Sequence, residues 1–131
     1  MSPRIRQALR AAALLAAFGA LAVLTPGRES VALAQTPGAR SFAVTASRYA
    51  FAPDRIEVFQ DDVVAIELRT DDIAHSLTID EYRVAKRVSP GQTVTFEFRA
   101  ERTGAFPFYC DLKAEDGCRQ MRGVLVVRPR P

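Results

Sequence analysis

The chain has 131 residues, with 18 Lys and Arg against 15 Asp and Glu, a formal net charge of +3 at pH 7. Four of the arginines and one glutamate lie in the first 34 residues, so residues 35–131 carry 14 charges of each sign. These 97 residues fit one small domain, and their balanced charge argues against a nucleic-acid partner, which would need a basic face.

The first 34 residues have the pattern of a secretory signal peptide. Arg4, Arg6 and Arg10 form a basic segment, and residues 11–24 are uniformly apolar. Ala32-Leu33-Ala34 then offers a small-residue cleavage site. An uncleaved anchor is the alternative, but a run of 14 residues is short for a membrane span of about 20. We therefore expect a periplasmic or secreted protein without a membrane attachment after cleavage. Residues 35–40 would form a polar leader and residues 41–131 the domain.

The rest of the chain reads as a series of short strands. Apolar and polar side chains alternate with a period of two in residues 41–47, 63–69 and 93–99. Shorter apolar or β-branched segments at 56–58, 77–79, 84–88, 105–110 and 124–127 are read as further strands. Turn signals separate them, most clearly Pro53-Asp54 and Ser89-Pro90-Gly91-Gln92. Seven or eight short strands without a long helical period predict an all-β fold, a Greek-key β-sandwich.

Sulfur side chains are concentrated near the C-terminal end of this pattern. Residues 108–123, FYCDLKAEDGCRQMRG, hold both cysteines of the chain and one of its two methionines. Cys110 is predicted to end one strand and Met121 to begin the next, with Cys118 in the loop between them. The only histidine, His75, reaches the same edge if its strand neighbours this hairpin. One imidazole with soft sulfur donors favours copper, especially Cu(I), with zinc as the other choice.

A disulfide is the alternative for the two cysteines. An exported protein meets an oxidising compartment, where two thiols ordinarily pair. A Cys110–Cys118 bridge would stabilise the fold by roughly 2.5 kcal/mol on the chain-entropy scale. A third arrangement, in which the residues bind metal when reduced and form the bridge when oxidised, also stays open.

Five further motifs lie between about residues 51 and 127: FAPDRIEV, TDDIAHSLTI, SPGQTVTFEF, TGAFPFYC and CRQMRGVLVV. In these motifs the chain resembles the cupredoxins, most closely the copper-A-type domain of cytochrome oxidase subunit II. The copper-A loop has the form C-x3-C-x3-H-x2-M. It places the first family cysteine on Cys110, the methionine on Met121 and the upstream histidine on His75.

The chain departs from that ligand pattern at two positions. The second loop cysteine of the family falls on Ala114, and the loop histidine falls on Cys118. Without a bridging thiolate at position 114, we do not expect a two-copper centre. The resemblance therefore implies one copper ion held by His75, Cys110, Cys118 and Met121, and two thiolates would favour Cu(I).

The function expected from these residues is electron transfer to a redox partner or copper handling with a copper acceptor protein. The alternative, of another class, is a metal-free cupredoxin-like interaction module locked by the disulfide. The sequence has no Ser-His-Asp arrangement and no Gly-rich phosphate loop, so we expect neither an enzyme nor a nucleotide site. We expect a monomer.

Overall fold

A computed structural model describes residues 37–114 and 116–131 of the chain. The predicted signal peptide and residues 35–36 of the polar leader lie outside these residues. The described part contains nine strands and two short 3₁₀ turns. The strands are β1 (Ala39–Ser47), β2 (Ala50–Ala52), β3 (Arg55–Phe59), β4 (Val63–Arg69), β5 (His75–Ile79), β6 (Val84–Val88), β7 (Thr93–Arg99), β8 (Gly104–Tyr109) and β9 (Arg122–Arg128), and the 3₁₀ turns are Asp80–Tyr82 and Asp116–Gln120.

The nine strands form two sheets. One has the order β2-β1-β4-β7 and the other the order β3-β9-β8-β5-β6. The pairs β1–β4 and β3–β9 are parallel, and all other pairs are antiparallel. Strands that are neighbours in a sheet are often distant along the chain, so connections pass between the two sheets. The predicted all-β sandwich is confirmed.

The core follows from the period-two pattern of the strands. In β4 the side chains of Val64, Ile66 and Leu68 are fully buried, while the residues between them are partly or largely exposed. In β1 the alternation buries Val44 and Ala46 in the same way. Inward faces of this kind from both sheets supply the apolar core.

One strand is missing from the sequence prediction. Residues 50–52 precede Pro53 and read as part of a turn, yet they pair with β1 in the register Ala46↔Phe51. Three residues are too few to display a period, so the pairing partner alone makes this segment a strand. The strand count therefore rises from the predicted seven or eight to nine.

Strand β5 occupies the position that matters for the cysteine loop. It lies between β6 and β8, and all five of its residues are buried. Its partner in β8 is antiparallel, with Thr78 opposite Tyr109. The histidine strand therefore neighbours the last hairpin, as the sequence hypothesis required. No helix among residues 37–114 and 116–131 is long and apolar enough to cross a bilayer.

Candidate metal and disulfide site

The four predicted site residues lie at one end of the five-stranded sheet. Strand β5 begins at His75, β8 ends one residue before Cys110, and β9 begins one residue after Met121. Because β8 runs antiparallel to both of its neighbours, these three strand ends lie at the same end of the sheet. Cys118 lies in the 3₁₀ turn that leads into β9. Each of the four residues is at most 2% exposed.

The strand registers place His75, Cys110 and Met121 on one face of the sheet. Continuing the pairs Thr78↔Tyr109 and Tyr109↔Arg122 by one residue puts Cys110 opposite both Leu77 and Met121. His75 is two residues from Leu77, so it lies on the same face as Cys110 and diagonal to it. This is the buried face of the sheet, which Leu77 shares.

The two cysteines form a disulfide in this structure. Cys110 and Cys118 are joined across a sequence separation of eight, with their Cα atoms 5.2 Å apart. Of the arrangements left open by the sequence, the disulfide is therefore the one observed. A disulfide sulfur carries no negative charge and is not the thiolate ligand that copper prefers.

His75 is held by a carboxylate in the loop that precedes β5. Its Nε2 lies 2.8 Å from Asp72 Oδ1. The same carboxylate accepts hydrogen bonds from the backbone N–H groups of Arg48 and Ile73 and from the hydroxyl of Thr70. Burial alone would raise the pKa of Asp72, but these donors together hold it well below its ordinary value.

The ionised carboxylate fixes the histidine tautomer. Because Asp72 can only accept, His75 Nε2 carries the proton and donates it, which leaves the lone pair of the neutral ring on Nδ1. Nδ1 is buried and has no hydrogen-bond partner. Buried polar atoms are normally partnered, so this ring nitrogen is an exception among the described residues.

Backbone N–H donors and a hydroxyl group lie beside the disulfide. Ser76 N–H lies 3.4 Å from Cys110 Sγ, and Ser76 Oγ lies 3.6 Å from the same sulfur. The single hydroxyl proton of Ser76 is donated to Asp111 Oδ1 at 2.5 Å, and Ser76 Oγ accepts the Asp111 N–H at 2.8 Å, so the donor to Cys110 Sγ is the backbone N–H of Ser76. On the other sulfur, the backbone N–H of Leu112 points at Cys118 Sγ at 3.2 Å.

In its disulfide form the site does not fit a copper ion. Within residues 37–114 and 116–131, no group of three or more His, Cys, Asp or Glu side chains is arranged to hold a metal. His75 Nδ1 and the Met121 thioether remain, which is too few donors for a closed site. Breaking the disulfide would release two thiol groups at this end of the sheet.

Sequence reasoning did not name two residues of this site. Asp72 is the oxygen partner of His75, and Ser76 is the contact of Cys110. Asp72 precedes the histidine by three residues in TDDIAHS, but Asp71 beside it is equally acidic in sequence. Only the loop conformation selects Asp72.

Three comparisons bear on these residues. A family model described as "Cupredoxin-like domain" matches residues 12–127. Cytochrome c oxidase subunit 2 of Thermus thermophilus is 26% identical over 98 residues, which cover 74% of this chain and 73% of that protein.

Solved structures share the fold at low sequence identity. The periplasmic domain of subunit II of cytochrome oxidase (CoxB) of Bradyrhizobium japonicum is 14% identical with a TM-score of 0.61, over 68% of this chain and 83% of that one. A mixed disulfide intermediate between thioredoxin-like TlpAs and subunit II of cytochrome c oxidase CoxBPD is 15% identical with a TM-score of 0.58, over 68% and 81%. The predicted relationship to copper-A-type cupredoxins is confirmed.

The same fold also occurs in an enzyme. The multicopper oxidase mgLAC is 18% identical with a TM-score of 0.59, over 70% of this chain and 39% of that one. The fold is therefore shared by oxidase subunits and by a catalytic protein, and the role of this chain depends on its own site residues.

Proposed function

This chain belongs to the cupredoxin-like domain family, and on that basis we propose that it binds one copper ion when Cys110 and Cys118 are reduced. His75 Nδ1, the two thiolates and the Met121 thioether are the proposed ligands. The disulfide is then the metal-free state of the same site. This is the third arrangement that the sequence left open, with the disulfide as its oxidised form.

The observation that carries the proposal is the buried, unpartnered His75 Nδ1. Asp72 holds the other ring nitrogen, so the free lone pair belongs to the nitrogen that has no protein partner. A histidine ligand commonly gives its second N–H to a carboxylate in this way. The shared face of His75, Cys110 and Met121 supports the same assignment.

The donor set suits copper handling better than electron transfer to a redox partner. Two thiolates and a thioether are soft donors, and soft donors stabilise Cu(I). A bound copper ion would supply one-electron chemistry between Cu(I) and Cu(II). The chain's own residues exclude water, since all four side chains are buried, and hold the imidazole in one tautomer.

A thiol–disulfide partner follows from the state of the cysteines. Reduction must come before metal uptake, and one relative was captured as a mixed disulfide with a thioredoxin-like protein. We propose a dithiol reductant of that class and, after it, a copper donor or acceptor as partners. An extracytoplasmic location suits both, since a relative of the same fold is a periplasmic domain.

A Cu(I) titration of the reduced protein against a chromophoric Cu(I) chelator tests the proposal. We expect one ion per chain in the dithiol form and no competitive binding in the disulfide form. Cys110→Ser should abolish tight binding, because it removes a thiolate. Met121→Leu should weaken binding while keeping the stoichiometry, because it removes only the weak thioether. Equal affinity of the reduced and oxidised proteins would refute the proposal.

The disulfide itself favours a second candidate function, a metal-free interaction module. The bridge closes the loop between β8 and β9 and removes both thiolates. This candidate predicts no copper uptake even after complete reduction. Metal analysis of reduced and oxidised samples of the exported protein separates the two functions.

A further inference from the structure

Strand β3 forms one edge of the five-stranded sheet. It pairs only with β9, in parallel register. The carbonyl group of Asp54 and the N–H group of Gln60, just outside the two ends of β3, both bond to β9. Because the backbone groups of successive residues point to opposite sides of a strand, residues 56 and 58 also face β9. The N–H and C=O groups of residues 55, 57 and 59 therefore face away from the sheet.

The outward backbone groups of two residues in this edge have no partner. The N–H of Phe59 donates to Asp62 Oδ2, whereas no residue that the structure describes bonds to the backbone N–H or C=O of Arg55 or Glu57. Open space adjoins the strand, since surface cavities of about 250 and 430 Å³ both border residues 57–59. An edge strand of this kind is a template for pairing with another strand.

The side chains of these two residues carry opposite charges. In β3, Ile56 and Val58 point into the core, so Arg55 and Glu57 lie on the outer face of the sheet, where their side chains are 55% and 39% exposed. Two copies of β3 that pair antiparallel about a two-fold axis at Ile56 would set each Arg55 opposite the Glu57 of the other copy. Opposite charges in directly opposed positions stabilise a strand pair.

The charges also select this register over its neighbours. A shift by two residues would set Arg55 against Arg55 or Glu57 against Glu57, and like charges in opposed positions are destabilising. A shift by one residue would oppose backbone groups that already bond to β9. Among the registers centred near Ile56, the free backbone groups and the charges therefore favour the same one.

We propose that β3 is the interface of a homodimer, in which two copies of this chain join their five-stranded sheets edge to edge. Each of the two Arg55–Glu57 pairs across the interface forms two N–H···O=C bonds, which makes four in all. The ladder ends there, because the N–H of Phe59 is occupied and Pro53 has no N–H. The contact uses the same surface of both copies, so it closes as a dimer.

The existing contacts of the two side chains do not oppose this pairing. Within one copy, Glu57 Oε1 lies 2.6 Å from Arg55 Nη2 and Glu57 Oε2 lies 2.9 Å from Arg128 Nη2. Ion pairs this exposed contribute little, so exchanging the Arg55 of the same copy for that of the second copy costs little. A dimer departs from the monomer expected from the sequence, because a strand pattern does not show which edges are free. The inference does not depend on the proposed copper site.

The other sheet edges suit a second copy less well. Strand β2 has three residues, and β6 carries the exposed basic residues Lys86 and Arg87, which would repel their counterparts. Strand β7 has an exposed pair of opposite charges like that of β3, Glu97 and Arg99. Because β7 packs beside β6, a contact there would also bring the basic residues of two copies together. The β7 pair therefore offers a matched control.

Sedimentation velocity of the purified exported protein, from micromolar to millimolar concentration, tests the proposal. We expect a concentration-dependent dimer. Glu57→Arg and Arg55→Glu each put like charges opposite one another in both pairs, and each should weaken dimerisation about 10- to 100-fold. The double variant Arg55→Glu/Glu57→Arg restores opposite charges and should restore the dimer. Its recovery distinguishes loss of this contact from damage to the fold in the single variants.

The controls are Glu97→Arg and Arg99→Glu in β7, which should leave the dimer intact. A parent that stays monomeric up to millimolar concentration overturns the inference, and so does a dimer that the β7 variants weaken as much as the β3 variants do. A double variant that stays monomeric while the parent dimerises also overturns it. None of these outcomes affects the Cu(I) titration of the reduced protein.

Discussion

At the residue scale, the site depends on one carboxylate. Asp72 collects four hydrogen bonds and holds the imidazole of His75 through one of them. The acceptor fixes both the orientation of the ring and its tautomer. In the proposed function, Asp72 acts through His75 and does not touch the metal.

Replacing Asp72 tests this positioning role. We expect Asp72→Asn to weaken Cu(I) binding by the reduced protein about 10- to 100-fold, because an amide can donate to Nε2 and favour the other tautomer. The measurement is competition with a Cu(I) chelator, with ring NMR signals reporting the tautomer. Asp71→Asn, one residue away and exposed, is the matched control and should bind like the parent. An unchanged tautomer and affinity in Asp72→Asn would contradict the assignment.

A second carboxylate with a lowered pKa, that of Asp62, stabilises the fold. Asp62 is fully buried and accepts hydrogen bonds from the backbone N–H groups of Gly38 and Phe59 and from the guanidinium of Arg130. Burial alone would raise the pKa of Asp62, but these donors outweigh it and lower the pKa to about 2. The residue joins the start of β1, the β3–β4 turn and the C-terminal segment.

The pKa of Asp62 predicts a pH dependence with a definite sign. A folded-state pKa below the unfolded value near 3.8 stabilises the fold above about pH 4, and this contribution is lost as the pH falls towards 2. The shift corresponds to about 2 kcal/mol. Urea unfolding of the parent and of Asp62→Asn between pH 2 and 6 measures it, and the difference should shrink at low pH. Asp61→Asn is the control, and a constant difference across this range would refute the role.

At the element scale, the β8–β9 hairpin positions the sulfur side chains. Its register places Phe108 opposite Gly123 and Tyr109 opposite Arg122, so Cys110 and Met121 follow as the next opposing pair. The hairpin packs closely where it passes residue 54. A Cβ atom on Gly123 would lie 2.1 Å from the Phe108 ring and 2.8 Å from the carbonyl oxygen of Asp54.

Gly123→Ala tests how much this close packing matters. The added methyl group has no room between a buried ring and a backbone carbonyl, so we expect a loss of about 2 kcal/mol in the free energy of unfolding. Thermal and urea unfolding measure it. Gly38→Ala is the matched control, because its Cβ would meet nothing within 4 Å. Equal stability of the two variants would show that the hairpin can shift to accept the methyl group.

At the scale of the whole molecule, the same end of the five-stranded sheet is stabilised by the disulfide in the oxidised protein and, in the proposed function, by copper in the reduced protein. The bridge restricts the unfolded chain through the loop between positions 110 and 118. In the proposed function, copper would instead stabilise the reduced protein by binding only its folded state. The two states differ in which cross-link closes the sandwich at this end.

Unfolding experiments on the three states check this account. The reduced, metal-free protein should be less stable than the disulfide form by roughly 2.5 kcal/mol, from the loop length. Adding one equivalent of Cu(I) to the reduced protein should raise its melting temperature, and adding Cu(I) to the disulfide form should not. A reduced protein whose melting temperature ignores Cu(I) would favour the metal-free module instead.

The sequence determined the sandwich, because the local alternation of apolar and polar residues defines inward faces such as Val64, Ile66 and Leu68. Motif spacing also linked His75 with the sulfur residues in one hypothesis. Local pattern could not supply β2, which is a strand only through its pairing with β1. The bond between Cys110 and Cys118, the choice of Asp72 over Asp71 and the contact of Ser76 with Cys110 were decided by the tertiary structure alone. The physical reason is distance: these contacts join segments far apart in sequence or depend on how a loop is folded, and neither is encoded in the period of a strand.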